Sequence, residues 1–216
     1  MALTEDGYKE RLIDKKISQY LKIFGAVSIE GPKWCGKTWT AKNHANSAVF
    51  LDDSSANFDM RAKAKMDVSL ILNMEKPQLI DEWIEVPEIW DAVRHICDKD
   101  KTKGKFILTE STTLRKKEQE EKIHHSGAGR IDRMKMYSMS LYESGDSTGD
   151  ASLKKMFEGT QENTLTKKTT LDDLARYIVR GGWPSNLNID DDLIHILPKS
   201  YLNAVLDYDI SKDGIN

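Results

Sequence analysis

Eight consecutive residues have the types and spacing of a phosphate-binding loop. The segment Gly31-Pro32-Lys33-Trp34-Cys35-Gly36-Lys37-Thr38 fills every required position of the pattern G-x-x-x-x-G-K-[ST]. In this pattern the backbone N–H groups of the loop form a nest for phosphates at the positive end of the following helix. Lys37 is expected to reach the β- and γ-phosphates of a nucleotide, and Thr38 to offer its hydroxyl to Mg²⁺.

Two acids follow a short apolar run further along the chain. Leu79-Ile80 leads directly into Asp81-Glu82, which is the Walker B arrangement. We expect Asp81 to lie near Mg²⁺ and Glu82 to orient or deprotonate an attacking water. An apolar run that ends in Asp-Glu is also an ordinary strand end. The upstream Gly-Lys-Thr loop favours the functional interpretation.

Two further features carry candidate chemistry. Thr109 and Ser111 end the next predicted strand, where a hydroxyl either contacts the γ-phosphate or lytic water (the role called sensor 1) or satisfies backbone groups. Glu110 between them is expected to point away from phosphates or to meet a basic residue. The Gly-rich turn before Arg130 and Arg133 could present an arginine to a transferred phosphoryl group, or either arginine could pair with a surface carboxylate.

Alternating strands and helices must position these residues. Short apolar runs predict five strands, near residues 26–29, 48–51, 78–81, 105–109 and 133–138. Helical patterns lie at 8–24, 38–46, 58–73, 87–100, 171–179 and 194–208. This order predicts an α/β fold with a mainly parallel five-stranded sheet flanked by helices, and a small C-terminal helical lid. We assign residues 1–150 to the α/β core and 151–216 to the lid segment.

Composition limits the functional classes. The net charge of −3 argues against general electrostatic attraction to nucleic acid, although a local patch stays open. The two cysteines, Cys35 and Cys97, form no disulfide framework or zinc spacing and fit a reducing cytosol. There is neither a signal-peptide pattern nor an apolar run long enough for a membrane span. We therefore expect a cytoplasmic protein without a membrane segment. The polar stretches 116–125 and 159–170 are expected to be solvated loops.

The chain resembles the AAA-type ATPases of bacteria and archaea that join an N-terminal ATPase core to a C-terminal domain of uncharacterised function, the AAA_14/DUF4143 architecture. The segments that carry the resemblance include GPKWCGKT, PQLIDEW, KFILTES, SLYESGDS and YIVRGGWPSNL. It departs from the family at Leu108-Thr109-Glu110-Ser111, where Leu-Thr-Gly-Ser is usual. The family's proteins are typically much longer, so the C-terminal domain is expected to be missing here.

The resemblance implies an ASCE-type P-loop fold, with a strand between Walker A and Walker B, and ATP or ADP with Mg²⁺ as ligands. It assigns the nucleotide to Gly31, Pro32, Lys33, Trp34, Cys35, Gly36, Lys37, Thr38 and Trp39. It assigns Mg²⁺ to Thr38 and Asp81, water activation to Glu82 and the sensor 1 region to Thr109. Arg130 is a finger candidate that we expect to act in trans. Gly182 and Pro184 are similar to a Gly-x-Pro lid element that approaches adenine.

Three functions fit these residues. Intact Lys37, Asp81 and Glu82 favour a Mg²⁺-dependent ATPase that drives a change in an attached domain or partner. The same residues would serve a nucleotide-binding switch with negligible hydrolysis, and the loop alone would serve a small-molecule kinase. A homo-oligomer, a protein partner and a role with nucleic acid all stay open.

Overall fold

The computed structural model describes residues 2–56, 58–111, 123–164 and 168–206. The chain divides into two compact units, which are unit 1, Met1–Tyr137, and unit 2, Ser138–Asn216. The domain boundary near residue 150 stays a prediction, since this division describes packing within each unit and not independent folding. Most of the polar stretch 116–125 lies outside the described residues. None of the described helices has the length and apolar character that crossing a membrane requires.

Unit 1 contains a five-stranded sheet in which every neighbouring pair is parallel. Its strands are β1 (Ala26–Gly31), β2 (Ser47–Phe50), β3 (Gln78–Asp81), β4 (Phe106–Ser111) and β5 (Ile131–Lys135). The order across the sheet is β2-β3-β4-β1-β5. β4 therefore separates β1 from β3, as the ASCE arrangement requires. The expected parallel five-stranded sheet is confirmed.

Helices connect β1 to β2, β2 to β3 and β3 to β4, because parallel strands need crossover connections. These connecting helices are α2 (Lys37–Lys42), α3 (Asp59–Met66) and α4 (Glu88–Lys99), and α1 (Leu12–Tyr20) precedes β1. Single 3-10 turns lie at Val68–Ile71 and Trp83–Glu85. The first three helices are clearly shorter than the sequence pattern suggests, and the predicted helix over 58–73 divides into α3 and the 3-10 turn at Val68–Ile71. α1 begins only at Leu12, where the Asp14 carboxylate accepts the Arg11 backbone N–H, and α2 passes into tight turns after Lys42.

The sheet is buried on both faces by two apolar clusters. Alternate strand residues face opposite sides, so Ile80 and Leu108 join one cluster and Leu79 and Ile107 the other. The first cluster includes the inner face of α4, and the second includes residues of α1 and α2. Burial on both faces explains the short, continuous apolar runs of the central strands.

Unit 2 is helical in its described part, with α5 (Leu153–Phe157), α6 (Leu171–Arg180) and α7 (Ile196–Ala204). The sequence pattern predicted α6 and α7 but missed the five-residue α5. A capping box begins α6, in which Thr170 Oγ1 accepts the Asp173 N–H at 3.1 Å and the Asp173 carboxylate accepts the Thr170 N–H at 2.9 Å. Gly181, with φ 67°, ends it. The function of this unit as a lid stays a prediction.

Candidate functional site

The segment between β1 and α2 turns sharply at two positions with left-handed backbone conformations. Trp34 has φ 66° and Gly36 has φ 98°, and α2 begins directly after Gly36. Gly31 is required for a different reason. A Cβ atom there would collide with the carbonyl oxygen of Met136, which lies just beyond β5. The loop is therefore shaped by packing against the end of β5 as well as by its own glycines.

Lys37 folds back over the loop instead of extending into solvent. Its side chain is almost fully buried, at 5% exposure. The ammonium group donates to the carbonyl of Pro32 at 3.0 Å and to the Ser111 hydroxyl at 3.3 Å. One positive charge is thus held between the loop and the end of β4, where phosphates bound by the loop would meet it.

Thr38, Asp81 and Thr109 meet at a single carboxylate oxygen. Oδ1 of Asp81 accepts the Thr38 hydroxyl at 2.9 Å and the Thr109 hydroxyl at 2.6 Å. Burial raises the pKa of Asp81 to about 6, against the opposing effect of these two hydrogen bonds. The ends of two neighbouring strands and the start of α2 therefore converge on one buried acid.

The donor set around Asp81 fits Mg²⁺. Mg²⁺ takes oxygen ligands, usually one or two from protein carboxylates and the rest from water and phosphate. The Thr38 hydroxyl and the Asp81 carboxylate supply such oxygens within hydrogen-bond distance of each other. A divalent cation at this position would also offset the cost of ionising a buried acid. Among the described residues, no group of three or more His, Cys, Asp or Glu side chains is arranged to hold a metal ion by itself.

Glu82 turns away from the strand direction and reaches the end of β4. Its backbone is left-handed, with φ 52°, and its N–H donates to Thr109 Oγ1 at 3.2 Å. The carboxylate accepts the Ser111 hydroxyl at 2.6 Å and the Ser111 N–H at 3.1 Å. The bend allows adjacent acids of one strand to reach the same edge of the sheet.

The structure gives different partners to the two hydroxyls at the end of β4. Thr109 contacts Asp81 and the Glu82 backbone, whereas Ser111 contacts the Glu82 carboxylate and Lys37. Ser111 therefore links the loop lysine to the acid expected to activate water. Glu110 lies between them in β4, and the period of a strand places its side chain on the opposite face.

The remaining loop residues differ in exposure. Trp34 and Trp39 are 55% and 46% exposed, which leaves two large aromatic surfaces beside the loop. Cys35 is fully buried, and burial raises the pKa of its thiol. The nucleotide contacts expected of Pro32, Lys33 and these three residues stay predictions.

Arg130 is not brought to this edge of the sheet. It precedes β5, and its carbonyl accepts the N–H of Ala26, the first residue of β1. The six residues of β1 separate that end from the loop by roughly 17 Å. The guanidinium of Arg130 pairs with Asp98 of α4. Action of Arg130 on the loop of its own chain is therefore not supported, and action in trans stays a prediction.

Pro184 belongs to unit 2, where it begins a 3-10 turn at Pro184–Asn186. Gly182, two residues earlier, lies so close to the backbone of Met139 that a Cβ would collide with its carbonyl oxygen. This packing explains the glycine within unit 2. The approach of Pro184 to adenine stays a prediction.

Sequence reasoning missed Arg11. Its side chain is 7% exposed, and it donates to the carbonyl of Cys35 at 2.7 Å and to that of Tyr137 at 2.9 Å. An isolated arginine before an amphipathic helix has no distinctive spacing, so nothing local signals this contact with the loop.

Comparisons with known proteins identify a family and a similar fold. The model of a family described as AAA domain, AAA_14, matches residues 24–145. Among solved structures, the Walker-type ATPase Paby2304 of Pyrococcus abyssi is similar in fold, with TM-score 0.52 and 11% identity over 98% of this chain and 77% of that chain. The ORC2 protein of Aeropyrum pernix, solved as ADPNP–ADP complexes, matches with TM-score 0.44 and 12% identity over 95% of this chain and 67% of that one. No curated protein is similar enough in sequence to count as a relative.

Proposed function

Because the chain belongs to the AAA domain family AAA_14, we propose that unit 1 binds ATP with Mg²⁺ and hydrolyses it. One observation carries this proposal. The pair Lys37-Thr38 and the distant pair Asp81-Glu82 meet at the carboxyl edge of one parallel sheet. Thr109 and Ser111 of β4 link the two pairs. Ligands of open α/β sheets bind at this edge.

Each side chain has a defined part in the proposed reaction. The ammonium of Lys37 neutralises charge on the β- and γ-phosphates, and the backbone N–H groups of the loop cradle them. Thr38 and Asp81 would hold Mg²⁺, which supplies charge neutralisation at the phosphate oxygens. Glu82 accepts a proton from the attacking water at a carboxylate oxygen as that water adds to the γ-phosphorus. ADP then leaves with the electron pair of the broken P–O bond.

Ser111 orients the base in this scheme. Two hydrogen bonds from one residue fix the plane of the Glu82 carboxylate. A carboxylate has about four lone-pair positions, so Glu82 keeps the capacity to accept from water. The contact of Ser111 with Lys37 makes the orientation of Glu82 depend on the position of the loop lysine.

The deciding experiment is phosphate release at saturating MgATP, measured for the wild type and for Glu82→Gln. Calorimetric titration with ATP and ADP runs alongside it. Turnover in the wild type and its loss in a variant that still binds ATP would support hydrolysis. Tight binding with no phosphate release from either protein would contradict it.

A nucleotide-binding switch is the second candidate, and the Ser111–Glu82 contact favours it. If Ser111 holds Glu82 away from water, turnover stays negligible until a partner or a second copy of the chain releases the acid. Ser111→Ala distinguishes the two functions. It raises phosphate release if Ser111 restrains Glu82, and lowers it if Ser111 orients Glu82 for catalysis.

The setting of this reaction is proposed on the same basis. Nucleotide state would drive a change in an attached domain, a protein partner or a second copy of the chain. A reducing cytoplasm suits the two free, buried cysteines Cys35 and Cys97.

A further inference from the structure

Arg11 is tied to the loop from outside the sequence motif. It directly precedes α1 and contacts the loop through its guanidinium group. A buried arginine loses most of its hydration, so its contacts must be well defined to offset the loss. The Nη1 atom of the guanidinium donates to the carbonyl of Cys35 at 2.7 Å, a length typical of a charge-assisted hydrogen bond.

This contact determines the direction of one peptide group of the loop. In a trans peptide the C=O and the following N–H point in opposite directions. With the Cys35 carbonyl held by Arg11, the Gly36 N–H points away from the guanidinium. Gly36 lies between the loop and α2, where loops of this pattern direct their N–H groups at phosphates. The positive charge on the carbonyl side also polarises this peptide, which makes its N–H a stronger donor.

The other side of the guanidinium anchors the same side chain to the segment after the carboxyl end of β5, the strand that pairs with β1. It donates to the carbonyl of Tyr137, two residues beyond β5. The preceding residue, Met136, donates its N–H to the carbonyl of Glu30 in β1 at 2.7 Å. One guanidinium thus connects the loop to a segment that the sheet already holds in place.

The backbone of Arg11 is itself fixed against α2. Its N–H donates to the Asp14 carboxylate at 2.7 Å. The same carboxylate accepts the Tyr8 hydroxyl at 2.8 Å, and that hydroxyl also lies 3.2 Å from Thr40 Oγ1 in α2. The segment before α1 is therefore tied to the helix that follows the loop.

We propose that Arg11 is a positioning residue for phosphate binding, because its guanidinium turns the Cys35–Gly36 peptide so that the Gly36 N–H faces the phosphates of a nucleoside di- or triphosphate. This inference rests on the proposed function of the loop. It concerns only the diphosphate part of the ligand. Loss of Arg11 should therefore weaken the affinities for ADP and for inorganic pyrophosphate by the same factor.

The test uses calorimetric affinities for MgADP and magnesium pyrophosphate in Arg11→Gln and Arg11→Lys. We expect Arg11→Gln to weaken both by about tenfold, the effect of one charge-assisted hydrogen bond. Arg11→Lys keeps the charge but lacks the second guanidinium nitrogen that reaches the Tyr137 carbonyl, so it recovers part of the loss. Arg94→Gln is the matched control, since it removes a guanidinium paired with Asp98 on α4 and should leave both affinities unchanged.

A spectroscopic readout separates positioning from general stability. In the wild type, pyrophosphate should shift the Gly36 amide proton resonance in the ¹H–¹⁵N spectrum, and this shift should shrink in Arg11→Lys. Unchanged affinities and an unchanged Gly36 shift in a folded Arg11 variant would overturn the inference. If Arg11→Gln does not fold, Arg11→Lys decides by the same two measurements. Failure of the proposed function looks different, because the wild type itself would then bind neither ligand and Lys37→Ala would change nothing.

Discussion

The hydroxyl of Ser111 lies 2.6 Å from Oε1 of Glu82, and the Ser111 N–H lies 3.1 Å from Oε2 of the same carboxylate. A single residue of β4 therefore holds both oxygens of an acid that follows β3. Two adjacent strand ends are joined at the point where the proposed chemistry needs a carboxylate of fixed orientation.

The first prediction concerns Glu82. Glu82→Gln should keep ATP affinity and lower phosphate release by about 100-fold or more, since an amide still accepts from the Ser111 hydroxyl but cannot take a proton from water. Phosphate release and calorimetry measure the two properties separately. Turnover equal to wild type would make Glu82 a structural acid at a strand end.

Lys37→Ala should weaken MgATP binding by about tenfold or more, because it removes the buried ammonium held over the loop. Calorimetry gives the affinity. Lys42→Ala is the matched control, as it removes the same charge from the last turn of the same helix. If Lys37→Ala bound as tightly as Lys42→Ala, the assignment of the loop to phosphates would fail.

The next prediction concerns Arg130, which lies at the edge of the sheet opposite to the loop and gives two expectations. Arg130→Ala should leave ATP affinity and turnover at high dilution unchanged, because its guanidinium pairs with Asp98 away from the loop. If it acts in trans, turnover per subunit should rise with protein concentration in the wild type but not in the variant. A dilution series monitored by light scattering checks this. Flat specific activity across a hundredfold range would leave Arg130 without a catalytic role.

Gly31→Ala should lower the free energy of unfolding by about 2–3 kcal/mol and weaken nucleotide binding. The new Cβ would collide with the Met136 carbonyl and displace the loop. Gly129→Ala is the control. Its Cβ would meet open space and cost only the strain of a positive φ, about 1 kcal/mol, with ADP affinity intact. Equal effects of the two substitutions on stability and binding would contradict this account.

The last prediction concerns pH and Asp14. Burial of this carboxylate opposes ionisation, but hydrogen bonds from His44, the Arg11 N–H and Tyr8 outweigh burial and lower its pKa. A depressed pKa in the folded state stabilises the fold above the unfolded pKa of about 3.9, and the gain is lost as pH falls through the folded pKa. Asp14→Asn should therefore cost about 1–2 kcal/mol near pH 7.

That cost should shrink as pH falls below about 4, because the unfolded state takes up the proton first and the folded state follows at its lower pKa. Denaturant unfolding of both proteins between pH 3 and pH 7 measures the difference. A difference that stays constant over this range would show that the charge of Asp14 contributes nothing.

Local patterns determined a large part of this protein. The Gly31–Thr38 spacing, the apolar run before Asp81 and the alternation of strands with helices each depend on neighbours a few residues apart. They predicted the parallel sheet and the edge at which Lys37, Asp81 and Glu82 meet. Helix ends were less accurate, since capping contacts decide where a helix begins: α1 starts at the Asp14–Arg11 hydrogen bond.

Only the tertiary structure decided the contacts between distant segments. In the folded protein the Ser111 hydroxyl contacts Glu82 and the Thr109 hydroxyl contacts Asp81, although Ser111 and Thr109 both lie at the end of β4. The tertiary structure placed Arg130 at the far edge of the sheet, and it brought Arg11 to Tyr137 across 126 positions of sequence. Such contacts depend on sheet order and on side-chain packing, and neither is encoded in the spacing of neighbouring residues.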